Sequence, residues 1–273
     1  VDTNRDGLIT FHDLNSTANA SFVTDINRNG RIDAGDLLND SRWENAVDED
    51  ANGYRDDLIG WDFVNNDNDP WDDNGHGTHA SGTIGAKGGN GTGVAGVAWD
   101  VQLVGLKFLA ADGSGAISNA VKAIDYYTTA SQKAVGQDFV ATNNSWGGGG
   151  YSSAMQGAID RAAKEGILFV AAAGNSTVNT DTSANFPSNY STLASAGYEA
   201  VVSVAAITSA GGLASFSSFG ARTVDLGAPG ASIYSTLANG GYGTMSGTSM
   251  AAPHVTGAIA LYAAQNAGAT ADD

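Results

Sequence analysis

The chain of 273 residues contains no cysteine, only 4 prolines and no long apolar run. Without cysteine there is neither a disulfide framework nor a thiol nucleophile. A membrane-spanning helix needs about 18 or more consecutive apolar residues, so the sequence predicts no membrane partner of that kind. Charged residues make up 15% of the chain and hydrophobic residues 42%. This balance is typical of a compact globule and excludes a disordered chain.

Basic residues are also scarce, with 12 Lys and Arg against 29 Asp and Glu and a net charge of −17. Residues 1–75 hold 18 of the acidic residues but only 5 of the basic ones. Such a surface repels phosphate backbones, so the sequence argues against a nucleic-acid partner. A concentration of acidic residues in one segment indicates either a solvated surface or a cation-binding site. The spacing of the acidic side chains distinguishes the two.

The composition and the predicted secondary structure of the chain change at His76. Residues 1–75 are rich in Asp, Asn and Gly and predict loops, whereas residues 76–273 alternate between small-residue helices and apolar strands. We predict helices over 76–87, 118–130, 152–165 and 249–264, and strands over 101–109, 139–145, 166–174 and 200–207. The alternation predicts an α/β fold: a doubly wound, mostly parallel sheet with helices on both faces, in three layers. Ligands of such folds gather at the carboxyl ends of the strands.

Three loops at predicted element boundaries carry reactive side chains. His76 lies between two glycines in GHGTH, where an imidazole can act as a general base or serve a structural role. His79 makes only a weak zinc pair with it. Ser249 in SGTSMAAPHVTG opens a helix, as a nucleophile or as a helix cap. Asn175 ends AAAGN, as an oxyanion donor or as a turn residue. Together a base, a nucleophile and an oxyanion donor indicate acyl transfer.

The stretches NGHGTHASGTIGA, AAAGN and SGTSMAAPHVTG resemble the histidine, oxyanion and serine motifs of subtilisin-like serine proteases, the subtilases. The resemblance covers about residues 48 to 265 and implies a secreted serine endopeptidase acting on an extended peptide or protein. It implies that His76 is the general base, Ser249 the nucleophile and Asn175 the side-chain donor of the oxyanion hole. The substrate-binding residues that it implies are a peptide-binding edge at Ser145, Trp146, Gly147 and Gly148 and a pocket wall at Ala171, Ala172, Ala173 and Gly174.

The catalytic aspartate of this family is the one part that the sequence does not supply. In subtilases it precedes the histidine and ends the first strand of the sheet. The sequence shows no apolar strand before Asp2, and Asp25 follows only Phe22 and Val23, so we do not expect either residue to be that aspartate. We therefore expect the aspartate to lie upstream of Val1, and the domain over 76–273 to lack its first strand and its C-terminal end. An N-terminal fragment or propeptide would then be a partner of an otherwise monomeric enzyme.

The acidic segment matches the spacing of calcium-binding loops. An EF-hand-like loop places oxygen ligands at positions 1, 3, 5, 7 and 12 and glycine at position 6. Residues 2–13 and 25–36 follow this spacing with Asp at position 12, as in dockerins, while the loop that starts at Asp48 is irregular because Ile59 stands at position 12. The candidate ligands are Asp2, Asn4, Asp6, Leu8 and Asp13, then Asp25, Asn27, Asn29, Arg31 and Asp36, then Asp48, Asp50, Asn52, Tyr54 and Asp57.

We therefore expect two to three Ca²⁺ ions in an extension over residues 1–75 that packs on the catalytic domain. Solvated acidic loops are the alternative. Asn90 in GGNGTGVAG also resembles a calcium loop of the family. Such sites fill at extracellular calcium levels, which fits a secreted enzyme. The competing function is an inactive subtilase-like scaffold that acts as a calcium-dependent, dockerin-like interaction module. The short, polar stretches after the loops, FHDLNSTANA and GDLLNDSRWE, weigh against it.

Overall fold

The computed structural model describes residues 1–5, 9–134 and 138–273. Two candidate calcium ligands, Asp6 and Leu8, lie outside the described residues. The chain forms two compact units, one of residues 1–71 with 104–106 and one of residues 72–103 with 107–273. Within the described ranges, none of the helices has the length and apolar composition needed to cross a membrane.

The first unit consists mainly of loops with short elements. These are α1 (Phe11–Leu14), a 3₁₀ turn (Thr17–Asn19), α2 (Ala34–Leu37) and β1 (Gly60–Asp62), which pairs with β2 (Gly105–Lys107). Each short helix begins with a capping box, Thr10 with Asp13 and Asp33 with Asp36, which satisfies the first free N–H groups. A small apolar cluster of Leu14, Val23 and Leu37, with Ile32 and Trp43 packed against it, forms the core of this segment.

The second unit carries the main sheet. In chain order its elements are α3 (His76–Gly85), α4 (Ile117–Lys133), β3 (Ala141–Asn144), α5 (Ser153–Lys164), β4 (Leu168–Ala172), α6 (Leu193–Ala196), β5 (Val201–Ile207), β6 (Leu226–Pro229), β7 (Ile233–Thr236), β8 (Tyr242–Met245) and α7 (Thr248–Gln265). Strands β3, β4, β5 and β6 pair in that order, all parallel. Strands β7 and β8 form an antiparallel hairpin, with Ile233 opposite Met245.

Both faces of the parallel sheet are covered, because successive side chains of β4 point in opposite directions. Phe169 lies in a buried cluster with Met155 and Ile159 of α5, while its neighbour Val170 lies in a second cluster with Ala251 of α7. Phe169, Val170, Met155 and Ile159 are at most 1% exposed, so each contributes about 1.5–3 kcal/mol of apolar burial. The predicted three-layer α/β fold is confirmed.

The strand predicted over residues 101–109 is wrong in extent and in partner. Only Gly105–Lys107 is a strand, and it pairs with β1 instead of joining the parallel sheet. Leu103 and Val104 before it are exposed, so the start of this apolar run is not covered, whereas Phe108 near its end packs against the buried core. The pairing with β1 requires glycine at position 60, because Gly60 has φ +126° and a Cβ there would overlap the carbonyl of Gly105.

Candidate active site

Three loops meet at the carboxyl end of the parallel sheet, as the fold class predicts. Ser145 follows β3 directly, and its hydroxyl donates to the carbonyl oxygen of Ser249 at 2.8 Å. The Ser249 hydroxyl donates in turn to the Ser145 carbonyl oxygen at 3.3 Å. From the loop after β4, Asn175 accepts a hydrogen bond from the Thr248 N–H at 2.8 Å. Hydrogen bonds therefore join the predicted nucleophile, the predicted oxyanion donor and the predicted peptide-binding edge.

Ser249 is the second residue of α7 and is half-buried. Gly247 supplies no side-chain cap, so the positive end of the helix dipole lies at Ser249, while the Thr248 N–H donates to Asn175 Oδ1 and the Met250 N–H donates to the Gly247 carbonyl oxygen. Pro253 is the sixth residue of α7 and lies inside the helix, beyond the N–H groups that lack helical partners. Its missing N–H leaves the Ser249 carbonyl oxygen without a helical donor, and the Ser145 hydroxyl donates to that oxygen instead. The helix geometry thus leaves the backbone around Ser249 available to an anion, in agreement with the reasoning from the sequence.

Asn175 is exposed, but its amide group is held in one orientation. Its Oδ1 accepts from the Thr248 N–H at 2.8 Å and from the Thr248 hydroxyl at 3.0 Å. Because both partners of Oδ1 are donors, Nδ2 is left to donate, and it lies 3.5 Å from the place of a Cβ on Gly247. Thr248 Oγ1 also accepts the Gly174 N–H at 3.1 Å. Thr248 is fully buried and was not among the residues predicted from the sequence.

His76 begins α3 after Gly75, whose φ of +100° suits glycine. The turn is held by Asp72, whose carboxylate accepts the Gly75 N–H and the Thr78 N–H, both at 2.7 Å, and the Thr78 hydroxyl at 2.6 Å. Burial alone would raise the pKa of Asp72, but the bonds from Thr78 and Gly75 outweigh it and keep that pKa below its ordinary value. Sequence reasoning missed Asp72, although an acidic residue just before a helix is a capping signal.

Burial lowers the pKa of the His76 imidazole below its ordinary value. The carboxylate of Asp72 opposes this shift, and His79 adds to it. A neutral imidazole at neutral pH is the form that accepts a proton. His79 itself is fully buried, and its Nε2 lies 3.0 Å from the Ile233 carbonyl oxygen and 3.2 Å from that of Gly243. That arrangement removes His79 as a zinc ligand through Nε2.

The predicted peptide-binding edge is open on one side. Gly148 has φ +117° and donates its N–H to the Phe186 carbonyl oxygen at 3.2 Å. Trp146 packs edge-on against Phe108 with ring centroids 5.1 Å apart. Of the predicted pocket wall, Ala171, Ala172 and Ala173 are buried in the sheet and only Gly174 is half-buried.

A further side chain lies between the two predicted parts of the substrate site. The Asn185 amide Nδ2 is 3.3 Å from the place of a Cβ on Gly174 and 3.8 Å from one on Gly147. The same Nδ2 donates to the Ser188 hydroxyl at 3.1 Å. Asn185 comes from a loop without sequence periodicity, so no pattern in the sequence singled it out.

The acidic loops of the first unit share one hydrogen-bonding pattern. Asp25 accepts the N–H groups of Asn29 at 3.1 Å and Gly30 at 2.8 Å, the fifth and sixth positions of its loop. Asp48 accepts those of Asn52 at 3.0 Å and Gly53 at 2.8 Å, also the fifth and sixth positions. The two position-6 glycines have φ +89° and +97°. This backbone path fits the EF-hand-like spacing, which needs a sharp turn at position 6.

The carboxylates at position 12 point into their loops. Asp36, only 1% exposed, accepts the N–H groups of Ile26 at 2.7 Å and Asn27 at 3.1 Å. Hydrogen bonds from Thr3 and Thr10 hold the pKa of Asp13 well below its usual range. Among the described residues, no group of three or more acidic or histidine side chains converges in a way that would hold a metal ion. A calcium shell here would therefore depend on Asn side chains and backbone carbonyls as well, and calcium binding stays a prediction.

The position of the catalytic aspartate also stays a prediction. Asp25 is engaged in the loop bonds just described, and Asp2 accepts the N–H of Arg5 at 2.6 Å. Both therefore take part in the turns of their own loops.

Comparisons with known proteins are in line with the three motifs. A sequence profile of the subtilase family matches residues 7–273. The chain belongs to the subtilase family. It is 41% identical over 209 residues to alkaline serine exoprotease A of Vibrio alginolyticus, covering 77% of this chain and 35% of that protein. It is 42% identical over 203 residues to subtilisin DY of Bacillus licheniformis, covering 74% of this chain and 68% of that protein.

Among solved structures, the chain is similar to a cold-adapted subtilisin-like serine proteinase, with a TM-score of 0.65 and 40% sequence identity. The similarity covers 78% of this chain and 69% of the other. The fold and the family expected from the motifs are therefore confirmed. The chain spans only about a third of the length of the Vibrio relative, so the activity of the whole protein is a proposal.

Proposed function

We propose that this subtilase chain belongs to the catalytic domain of a secreted, calcium-stabilised serine endopeptidase. The observation that carries the proposal is the hydrogen-bonded arrangement around Ser249. Its backbone N–H opens α7, its carbonyl is held by Ser145, and the Asn175 amide is oriented by Thr248 with Nδ2 left to donate. A nucleophile with two adjacent donors supports acyl transfer at a peptide carbonyl.

In the proposed reaction His76 takes the proton from the Ser249 hydroxyl as the oxygen attacks the peptide carbonyl carbon. The negative charge moves to the carbonyl oxygen, where the Ser249 N–H and Asn175 Nδ2 donate hydrogen bonds to it. His76 then returns the proton to the leaving amine, and the C–N bond breaks to leave an acyl-enzyme. Water then attacks the acyl-enzyme through the same steps, which releases the carboxylic acid product and restores Ser249. The lowered pKa of His76 supports its role as proton acceptor at neutral pH.

The substrate is an extended peptide that lies along Ser145 to Gly148 as an added strand. The side chain of the substrate residue that carries the attacked carbonyl enters the space between Gly147 and Gly174, beside the Asn185 amide.

Calcium is proposed to stabilise the first unit through the loops at 2–13, 25–36 and 48–57. The pattern shared by the Asp25 and Asp48 loops supports this, since oxygen ligands at fixed spacing repel each other without a cation. Secretion is supported by the extracellular calcium levels that such sites need. The dockerin-like alternative is disfavoured because α1 and α2 end after four residues each, too short for a helical docking face.

Labelling with a serine-directed peptidyl phosphonate tests the proposal. Purified protein, with any associated N-terminal fragment retained, should gain one phosphonyl group on Ser249 by intact mass and peptide mapping. The matched variants Ser249→Ala and His76→Ala should not label at the same reagent concentration. Absence of labelling in the unaltered protein, with calcium present, would support the inactive scaffold instead.

A further inference from the structure

One turn after His76, the buried imidazole of His79 makes contacts that the proposed reaction does not use. Its Nε2 faces two carbonyl oxygens, Ile233 at 3.0 Å and Gly243 at 3.2 Å. Carbonyl oxygens only accept, so Nε2 carries the proton. Its Nδ1 is buried without a hydrogen-bond partner among the described residues. Among the described residues, the polar contacts of the His79 ring are therefore those that Nε2 makes with the two carbonyls.

The two carbonyls belong to the two strands of the β7–β8 hairpin, and that hairpin also donates back to α3. The Ser235 hydroxyl donates to the His79 carbonyl oxygen at 2.8 Å, and the Thr236 hydroxyl donates to the Thr78 carbonyl oxygen at 2.7 Å. The contact leaves no room for a side chain on Gly82, where a Cβ would lie 2.6 Å from Ser235 Oγ. The first turn of α3 is therefore tied directly to the hairpin.

The β7–β8 hairpin is followed closely in the chain by the proposed nucleophile, Ser249. Its second strand ends at Met245, so only Ser246, Gly247 and Thr248 separate it from Ser249. Those residues are fixed to the start of the hairpin, because the Gly247 N–H donates to the Gly230 carbonyl oxygen and Ser246 Oγ accepts the Ser232 N–H, both at 2.8 Å. A short, hydrogen-bonded path thus runs from His79 to Ser249.

We propose that His79 is a positioning residue that fixes α3 to the β7–β8 hairpin and so sets the distance between the His76 imidazole and the Ser249 hydroxyl. This inference rests on the proposed function. His79 does not touch the substrate, and it acts through the placement of His76. A displacement of about 1 Å between reacting groups costs on the order of 10²-fold in rate, so a small loosening of the helix is enough to be measured.

The test compares His79→Gln with His79→Leu. A glutamine amide places nitrogen near the position of Nε2 and offers two N–H groups for the two carbonyls, whereas leucine fills similar space without a donor. Thr83→Val is the matched control, because its hydroxyl donates to the same His79 carbonyl at 3.1 Å but only within α3. For each variant, the second-order rate of phosphonate labelling, the Kd of an uncleaved product peptide and the thermal midpoint are measured.

We expect His79→Leu to label roughly 10- to 100-fold more slowly with the peptide Kd within about twofold of the original. His79→Gln should recover most of that rate, and Thr83→Val should label normally even if its thermal midpoint falls. Normal labelling of His79→Leu, or equal losses in the leucine and glutamine variants, would overturn the inference while leaving the proposed function intact. A similar loss in Thr83→Val would reduce His79 to a structural residue. If the unaltered protein does not label, the proposed function fails and this inference fails with it.

Discussion

Replacing Thr248 with valine tests whether the Asn175 amide is held in place by its neighbour. The Thr248 hydroxyl donates to Asn175 Oδ1 at 3.0 Å and accepts the Gly174 N–H at 3.1 Å. Valine keeps the shape of the side chain and removes both bonds, while the backbone bond from the Thr248 N–H to Asn175 remains. The side chain is fully buried, so neither bond is readily replaced by water.

The size of the effect follows from these two bonds. The bond to Asn175 is worth about 1 kcal/mol net, and leaving the Gly174 N–H unpaired in a half-buried place costs about 1–2 kcal/mol. The free energy of unfolding should fall by about 2–3 kcal/mol, which corresponds to a drop in thermal midpoint of roughly 4–6 °C for a chain of this size. Labelling should slow by about tenfold. That is less than the 10²–10³ expected for Asn175→Ala, a range measured in a subtilisin and not worked out from this structure.

Thermal unfolding of Thr248→Val and Thr248→Ser is compared by circular dichroism in the Ser249→Ala background, which prevents self-digestion during heating. Labelling rates are measured with Ser249 intact. Serine preserves the hydroxyl and should stay close to the original in both measurements. The reasoning fails if the valine and serine variants melt together, or if Thr248→Val slows labelling as much as Asn175→Ala does.

Two further predictions concern calcium and pH. Chelation should lower the thermal midpoint, because an ion at about 100 times its Kd adds about 2.7 kcal/mol per site; an unchanged melting curve after dialysis against chelator would exclude the loops as calcium sites. Burial places the pKa of His76 below 6.5, so the labelling rate should rise with pH to a midpoint below that value, and the native state should lose stability relative to His76→Gln as pH falls through 6.5. A labelling midpoint above 6.5 for this chain alone would contradict the prediction, whereas a midpoint that rises only when an N-terminal fragment is bound would reveal a carboxylate other than Asp72 acting on the imidazole.

The positions of the reactive residues could be predicted from the sequence because they lie in contiguous motifs at element boundaries. GHGTH and SGTSMAAPHVTG begin α3 and α7 at His76 and Thr248, close to the predicted starts. Strands β3, β4 and β5 of the parallel sheet were also predicted, and β4 and β5 are apolar on both faces, whereas β6 was not predicted. The run over 101–109 is equally apolar but pairs elsewhere, because β1 approaches it through Gly60 and Gly105. The local pattern of apolar residues does not predict that tertiary contact.

The supporting residues could not be predicted, because their partners are distant along the chain. Asp72 is the exception, because it accepts hydrogen bonds from residues close by in the sequence and could have been predicted as a helix cap. Thr248 bonds Asn175 across 73 positions, and His79 contacts Gly243 across 164. No rule of sequence spacing links such distant pairs. Taken alone, Thr248 and His79 have no feature that separates them from other residues of a motif or a core.

The supporting contacts are nearly all to main-chain groups. Asn175 is oriented partly by a backbone N–H, His79 by two carbonyls, and Ser249 by a hydroxyl on its own carbonyl. A backbone partner keeps its place when neighbouring side chains change, so the loops around this site can vary while the reactive atoms stay aligned. The carboxylate beside the base is different, because Asp72 is already saturated by Thr78 and Gly75 and has no oxygen committed to His76. Among the described residues no carboxylate hydrogen-bonds to His76, so the residue that orients this imidazole stays a prediction.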